Sequence, residues 1–133
     1  MPSKSNVRAF ALDLPIHLDA RGGLVEMDFR NLPFVPKRAF IVEGAEAGSI
    51  RGGHAHKRCQ QILVCVSGVV TVETLCGDQR ATHVLDSPAR ALLIPARIWA
   101  RQIYGDCPSR LLVLASHHYD PDSYVADTRA ERS

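Results

Sequence analysis

The chain has 133 residues, 46% of them apolar, and a formal net charge of +2. That length points to one domain with a core of its own, and the apolar share excludes a globally disordered chain. A charge so close to neutral leaves no nucleic-acid footprint, and no apolar run reaches the length of a membrane span.

Arginine outnumbers lysine, a bias that suits bidentate contacts to phosphate or carboxylate. Cys59, Cys65, Cys76 and Cys107 show no CxxC spacing, which argues against a zinc ribbon. Met1 to Phe10 holds no apolar stretch long enough for a signal peptide. The cysteines are therefore expected to be reduced, and the protein soluble and cytoplasmic.

Short apolar runs follow one another, each closed by turn residues. Phe10-Ala11-Leu12 leads to Pro15. Leu24-Val25-Glu26-Met27 follows the turn signal Arg21-Gly22-Gly23. Ala39-Phe40-Ile41-Val42 ends at Glu43-Gly44. Ile62 to Val66 ends at Ser67-Gly68, and Val69 to Leu75 alternates up to Cys76-Gly77-Asp78. Thr82 to Leu85, Ala91 to Ile94 and Leu111 to Ala115 complete the series. Runs of this length, rich in Val, Ile and Leu and bounded by Gly, Pro and Asp, predict strands. No stretch of a dozen residues has helical periodicity with caps. Many short strands in a small chain predict an all-β sandwich or barrel. Ser67-Gly68 and Gly77-Asp78 are expected to be hairpin turns, with glycine supplying a positive φ. Asp19, Asp78, Asp86 and Asp106 read as turn formers, and Asp127 to Ser133 as a fraying polar end.

The most informative stretch is Arg51-Gly52-Gly53-His54-Ala55-His56. Residues i and i+2 of a strand share a face, so both imidazoles are expected to project into one cavity while Ala55 faces away. Arg51 adds a permanent positive charge nearby. Such a group suits either a metal or an anionic substrate that needs a proton moved. No Ser-His-Asp set, Walker loop or dinucleotide fingerprint is present.

The order Gly53-His54-Ala55-His56, Val66-Ser67-Gly68 and Leu93-Ile94-Pro95-Ala96 resembles the cupins, small jelly-roll β-barrels. Metal-binding cupins add a carboxylate after the HxH pair and a third histidine after the Pro turn. Here those regions hold Gln60-Gln61 and Ile98-Trp99-Ala100-Arg101. Two protein ligands are few for a catalytic zinc or iron, so no metal is expected. A narrower resemblance rests on several blocks taken together. These are Asp19-x-Arg21-Gly22-x-Leu24, the segment Arg51 to Lys57, Gln61 to Gly68, Ile94-Pro95-x-x-x-Trp99, and Leu112 to Asp120 with Tyr124 behind it. They resemble the dTDP-4-keto-6-deoxyglucose 3,4-ketoisomerases over nearly the whole chain.

That resemblance implies a single-domain jelly roll over residues 1–133, a metal-free isomerisation without cofactor, a dTDP-sugar substrate and a homodimer. It also implies His54 as the base that removes the C3 proton, with His56 as shuttle or orienter. Arg51 would steady the enediolate or anchor the substrate. Gln61, Trp99, Lys57 and Arg101 are further candidates for substrate contact. Ala20 and Ala100 stand where the family carries large polar residues, so both are expected to face the sugar and widen its pocket. The strand Ala39-Phe40-Ile41-Val42 lacks the tyrosine often found there. His17 is a candidate ligand contact, His117-His118 a polar loop, and His83 an ordinary strand residue. Two other classes remain open: an epimerase of cupin fold acting on a nucleotide-sugar ketone, and a non-catalytic sugar-nucleotide-binding module.

Overall fold

Apolar runs that fill both faces of a strand call for cover on both sides, and the architecture supplies it. The computed structural model describes residues 8–44, 46–105 and 108–125. Asp106, Cys107 and Asp127 to Ser133 lie outside the described residues, as does most of the Met1–Phe10 segment. The described residues form twelve strands and no α-helix, as an antiparallel two-sheet barrel.

The first sheet runs in the order β1 (Phe10–Asp13), β9 (Arg90–Ile94), β6 (Gln61–Ser67), β11 (Arg110–Ala115), β4 (Arg38–Glu43). The second runs β12 (Tyr124–Val125), β5 (Ser49–His56), β10 (Trp99–Tyr104), β7 (Val70–Cys76), β8 (Gln79–Leu85). A separate hairpin joins β2 (Ile16–Asp19) to β3 (Gly22–Val25).

Between the two sheets lie Leu63, Cys65, Leu92, Ile94, Leu111 and Val113 from one side and Val70, Val72, Leu85, Ala100 and Tyr104 from the other. The outer face of the first sheet is covered as well. There Ile62, Val64, Ala91, Leu93 and Leu114 meet Val25 of β3 and Met27, Leu32 and Phe34 of the segment that follows it. Strands β6 and β9 are thus buried on both faces, which explains their unbroken apolar runs. Each fully buried Leu or Ile there contributes about 1.5–3 kcal/mol.

The Gly77-Asp78 turn joins β7 to β8 as expected, with Cys76 opposite Gln79 and Gly77 at φ +60. Ser67-Gly68 is not a hairpin. β6 and β7 belong to different sheets, and the turn carries the chain from one to the other. Gly68, at φ +75, sits against Ser109 so closely that a Cβ would overlap its side chain. Asp19 forms its turn by accepting hydrogen bonds from the Arg21 backbone N–H and guanidinium. Cys59 and Cys65 are buried free thiols, and Cys76 is half-buried.

Candidate active site

Strand β5 positions the histidine pair. Ala55 packs on its outer face with Leu75 and Trp99, so His54 and His56 turn inward. Their ring centroids lie 5.2 Å apart, nearly edge to face. On a regular strand Arg51, three residues before His54, would point outward. A β-bulge reverses this. Ala100 pairs with His54 and the next residue of β10, Arg101, pairs with Gly52, so Gly53 is the extra residue in β5. Gly52 and Gly53 both adopt φ +85, open to glycine without strain. Arg51 consequently falls opposite Gln102 and faces the same cavity as the histidines.

That cavity measures about 430 Å³. Gln61 of β6 lines it, as do Arg38, Phe40 and Val42, which alternate along the inner face of β4. Tyr119 and Tyr124 of the C-terminal segment close it. Arg38 stacks over the rings of Phe40 and Tyr119, at 5.1 and 5.6 Å from their centroids. Its Nε is buried without a hydrogen-bond partner among the described residues, a donor left for a ligand to satisfy. A second cavity of about 240 Å³ adjoins the first through His56, Arg38, Tyr119 and Tyr124.

Electrostatics favour uncharged imidazoles. Burial lowers the pKa of His54 against an opposing backbone hydrogen bond at Gly52. Burial, then the charges of His54 and Arg38, bring His56 down to about 4. Both rings are neutral at physiological pH and free to accept a proton.

Other candidates lie elsewhere. Trp99 and Arg101 sit on the outer face of β10, because Ala100, Gln102 and Tyr104 take the inner one. Trp99 is buried against Ala55, Leu75 and Val125. Arg101 pairs with Glu73 at 2.6 Å and lies over Trp99. Ala100 does face inward opposite His54, yet it is packed into the core rather than lining the cavity. Ala20 occupies the exposed tip of the β2–β3 hairpin, away from the histidines within this chain. His17 lies on the same hairpin, 3.6 Å from Glu26. Lys57 follows His56 on the opposite face and is exposed. His117 lies in an exposed loop, its Nδ1 2.7 Å from Ser116 Oγ. His83 points into the barrel, its Nε2 without a partner among the described residues.

Sequence reasoning gave no site role to Arg38, Gln102, Tyr119 or Tyr124. The alternation Arg38-x-Phe40-x-Val42 carried a signal for the first. The others depend on which strands become neighbours. Among the described residues no group of three or more His, Cys, Asp and Glu converges. In the larger cavity the polar neighbours of the histidines are instead Gln61, Gln102, two arginines and the tyrosines Tyr119 and Tyr124. Neutral amides and cations are poor partners for a divalent ion.

A two-sheet antiparallel barrel with an HxH strand facing an internal cavity defines a cupin. The comparisons with known proteins narrow this further. The family model described as WxcM-like, C-terminal, matches residues 6–131. The chain belongs to that family, the cupin-type sugar-nucleotide 3,4-ketoisomerases. A relative in Aneurinibacillus thermoaerophilus, TDP-4-oxo-6-deoxy-α-D-glucose-3,4-oxoisomerase, is 35% identical over 111 residues, which cover 81% of this chain and 78% of the relative. The QdtA 3,4-ketoisomerase of Thermoanaerobacterium thermosaccharolyticum, solved as a double mutant with TDP, superposes with a TM-score of 0.87 at 27% identity. The match covers 92% of this chain and 89% of QdtA. The WlaRB TDP-quinovose 3,4-ketoisomerase of Campylobacter jejuni gives 0.84 at 28% identity, covering 94% and 98%. No helix among the described residues is long and apolar enough to cross a membrane.

Proposed function

We propose that this protein moves the keto group of a TDP-4-keto-6-deoxyhexose from C4 to C3, as a step in deoxysugar biosynthesis. The observation that carries this reading is the pair of neutral imidazoles facing one cavity beside Arg51. The C4 carbonyl acidifies the C3 proton. His54 accepts that proton, the C3–H electrons form a C3=C4 double bond, and negative charge develops on O4. Arg51 and the unsatisfied Nε of Arg38 supply positive charge to the resulting enediolate. His56 relays the O3 proton to O4. As the C3=O bond forms, protonated His54 returns its proton to C4, and atoms and charge balance without a redox cofactor. Because the larger cavity offers the histidines amides, arginines and phenols as partners and no carboxylate, the proposed reaction uses no metal.

The test is incubation with TDP-4-keto-6-deoxyglucose in deuterated buffer. A 3-keto product with deuterium at C4, and recovered substrate labelled at C3, is expected. Neither product nor exchange would sink the assignment. The contact of Tyr124 with both histidines favours one alternative, a His–Tyr epimerase, and label at C5 would select it. Tight TDP binding without exchange would leave a binding module.

The working unit is a homodimer. Ile16, Leu18 and Leu24 of the β2–β3 hairpin stand exposed, Leu18 by 75%, and pairing with a second copy would cover them. Sedimentation should give twice the chain mass at micromolar concentration. The site of action is the cytoplasm, where charged nucleotide sugars are made.

A further inference from the structure

The C-terminal segment is fixed over the histidine pair by three local constraints. The Asp120 carboxylate caps the single 3-10 turn Pro121–Ser123 by accepting from the Asp122 N–H at 3.0 Å. The Ser123 carbonyl accepts from the Lys57 N–H at 2.7 Å, which ties the segment to the residue after His56. β12 then pairs with β5, and Tyr124 falls directly opposite His56. Its ring centroid lies 4.4 Å from that of His54, edge to face, and 4.8 Å from that of His56. Tyr124 touches both imidazoles and borders both cavities. Each imidazole would otherwise turn over a broad range about its last side-chain bond.

We propose that Tyr124 is a positioning residue that holds His54 and His56 in their working orientation through its ring face and edge. An aromatic ring at these distances contributes about 0.5–1.5 kcal/mol per pair beyond area burial. It also keeps water from one side of both bases. A ring does this; a hydroxyl is not required.

Four fixed cations, Arg38, Arg51, Lys37 and Arg58, are among the groups that border the pair's two cavities. Arg38 of β4 and Arg51 of β5 border the larger cavity. Lys37, Arg58, His117, His118 and Asp120 line the smaller one, with Tyr119 shared between the two. None of these groups is itself altered by a substitution at position 124. Movement of the histidine titrations then reports the loss of the ring's cover and not a change of neighbouring charge.

The inference rests on the isomerase reading for its kinetic arm only. Tyr124→Phe and Tyr124→Leu are compared with the unaltered protein by steady-state kinetics and by proton NMR titration of the histidine ring protons. Asn substitutions at each histidine assign the signals. The Phe variant should keep kcat within about twofold, while the Leu variant loses about tenfold or more in kcat with KM little moved. In the Leu variant His56 should titrate well above about 4, moving toward its ordinary value, and the acid limb of kcat/KM should rise with it. Tyr124 lies on an exposed two-residue edge strand, so the fold does not hinge on it. Should the Leu variant melt early, Tyr124→Met restores bulk without a fixed ring. A Phe variant as impaired as the Leu variant would assign the role to the hydroxyl and overturn the proposal. So would a Leu variant with unchanged kcat and unchanged titration. Absence of turnover in the unaltered protein would instead remove the isomerase reading, and the titrations would still judge the ring.

Discussion

Replacing Gly52 by alanine tests whether the bulge is what brings Arg51 to the histidines. Gly52 holds φ +85, where an L-residue costs about 1–2 kcal/mol. A Cβ there would meet the Ala100 carbonyl oxygen at 3.0 Å and the Arg101 Cα at 3.2 Å, both backbone atoms that cannot swing aside. Crowding of that kind adds about 1–3 kcal/mol. Unfolding entropy of about 2.1 cal/mol/K per residue over a chain of this length makes 1 kcal/mol worth about 3.6 °C, so the melting point should fall by about 7–18 °C. Gly77→Ala is the internal control. It shares a positive φ, +60, but a Cβ there meets nothing within 4 Å, so only the conformational cost of about 1–2 kcal/mol applies. Calorimetry or a circular-dichroism melt reads stability, and kcat/KM reads the site. Gly52→Ala should lower kcat/KM as well as Tm, because relaxing the bulge turns Arg51 away from the cavity, whereas Gly77→Ala should leave kcat/KM alone. If Gly52→Ala melts with or above Gly77→Ala and retains full kcat/KM, the bulge is not what orients Arg51.

His54→Asn should abolish both turnover and exchange at C3, while His56→Asn should retain exchange at C3 but form product slowly; isotope-resolved NMR of the sugar separates the two, and exchange surviving in His54→Asn would move the base elsewhere. Burial lowers both histidines, so kcat/KM should hold as pH falls below about 6.5 and decline only as the neutral base is lost, with no drop near 6.5. Stability follows the same sign. The unfolded chain binds the His56 proton more readily than the folded one, so the urea midpoint should fall between about pH 6.5 and pH 4 and be flat just above that window. At the alkaline end burial pushes the Tyr104 phenol up to about 12 against the opposing charge of Arg51. Its contribution is present below about pH 10 and lost as pH rises toward 12, so Tyr104→Phe should flatten that part of the urea-midpoint profile.

The strands buried on both faces, β6 and β9, were readable because nothing in Ile62 to Cys65 or Ala91 to Ile94 interrupts the apolar run. β10 was not read as a run, because Trp99-Ala100-Arg101-Gln102-Ile103-Tyr104 mixes charge and bulk on both faces. Its outer face is half-covered by the Arg101–Glu73 pair and its inner face ends in a cavity. The shared face of His54 and His56 followed from strand period alone. The inward turn of Arg51 did not, since it depends on an added residue, although the Gly52-Gly53 pair is the mark of one. Trp99 could be read as a ligand platform or as a plug at one barrel end; it lies on the outer face of β10 as cover for Ala55 and Leu75, because Ala100 takes the inner face. Tyr124 could be placed only by its partner strand, seventy positions away in the chain from His54.

The strand order of the first sheet also sets the pace at which this chain can fold. Ile62 pairs with Leu93, Leu63 with Val113, Phe40 with Val113 and Phe10 with Leu93, and no two neighbours in that sheet are consecutive in sequence. Among the described residues only β2–β3 and β7–β8 close as local hairpins. Loop closure on this scale comes before any contact that rewards it, which places folding in the range of about milliseconds to seconds. On the ribosome β6, which is buried on both faces in the finished fold, emerges well before β11, and it cannot gain its second neighbour until residue 115 has left the exit tunnel. Until then one apolar edge is open, and the window for misassociation is widest just before the last strands appear.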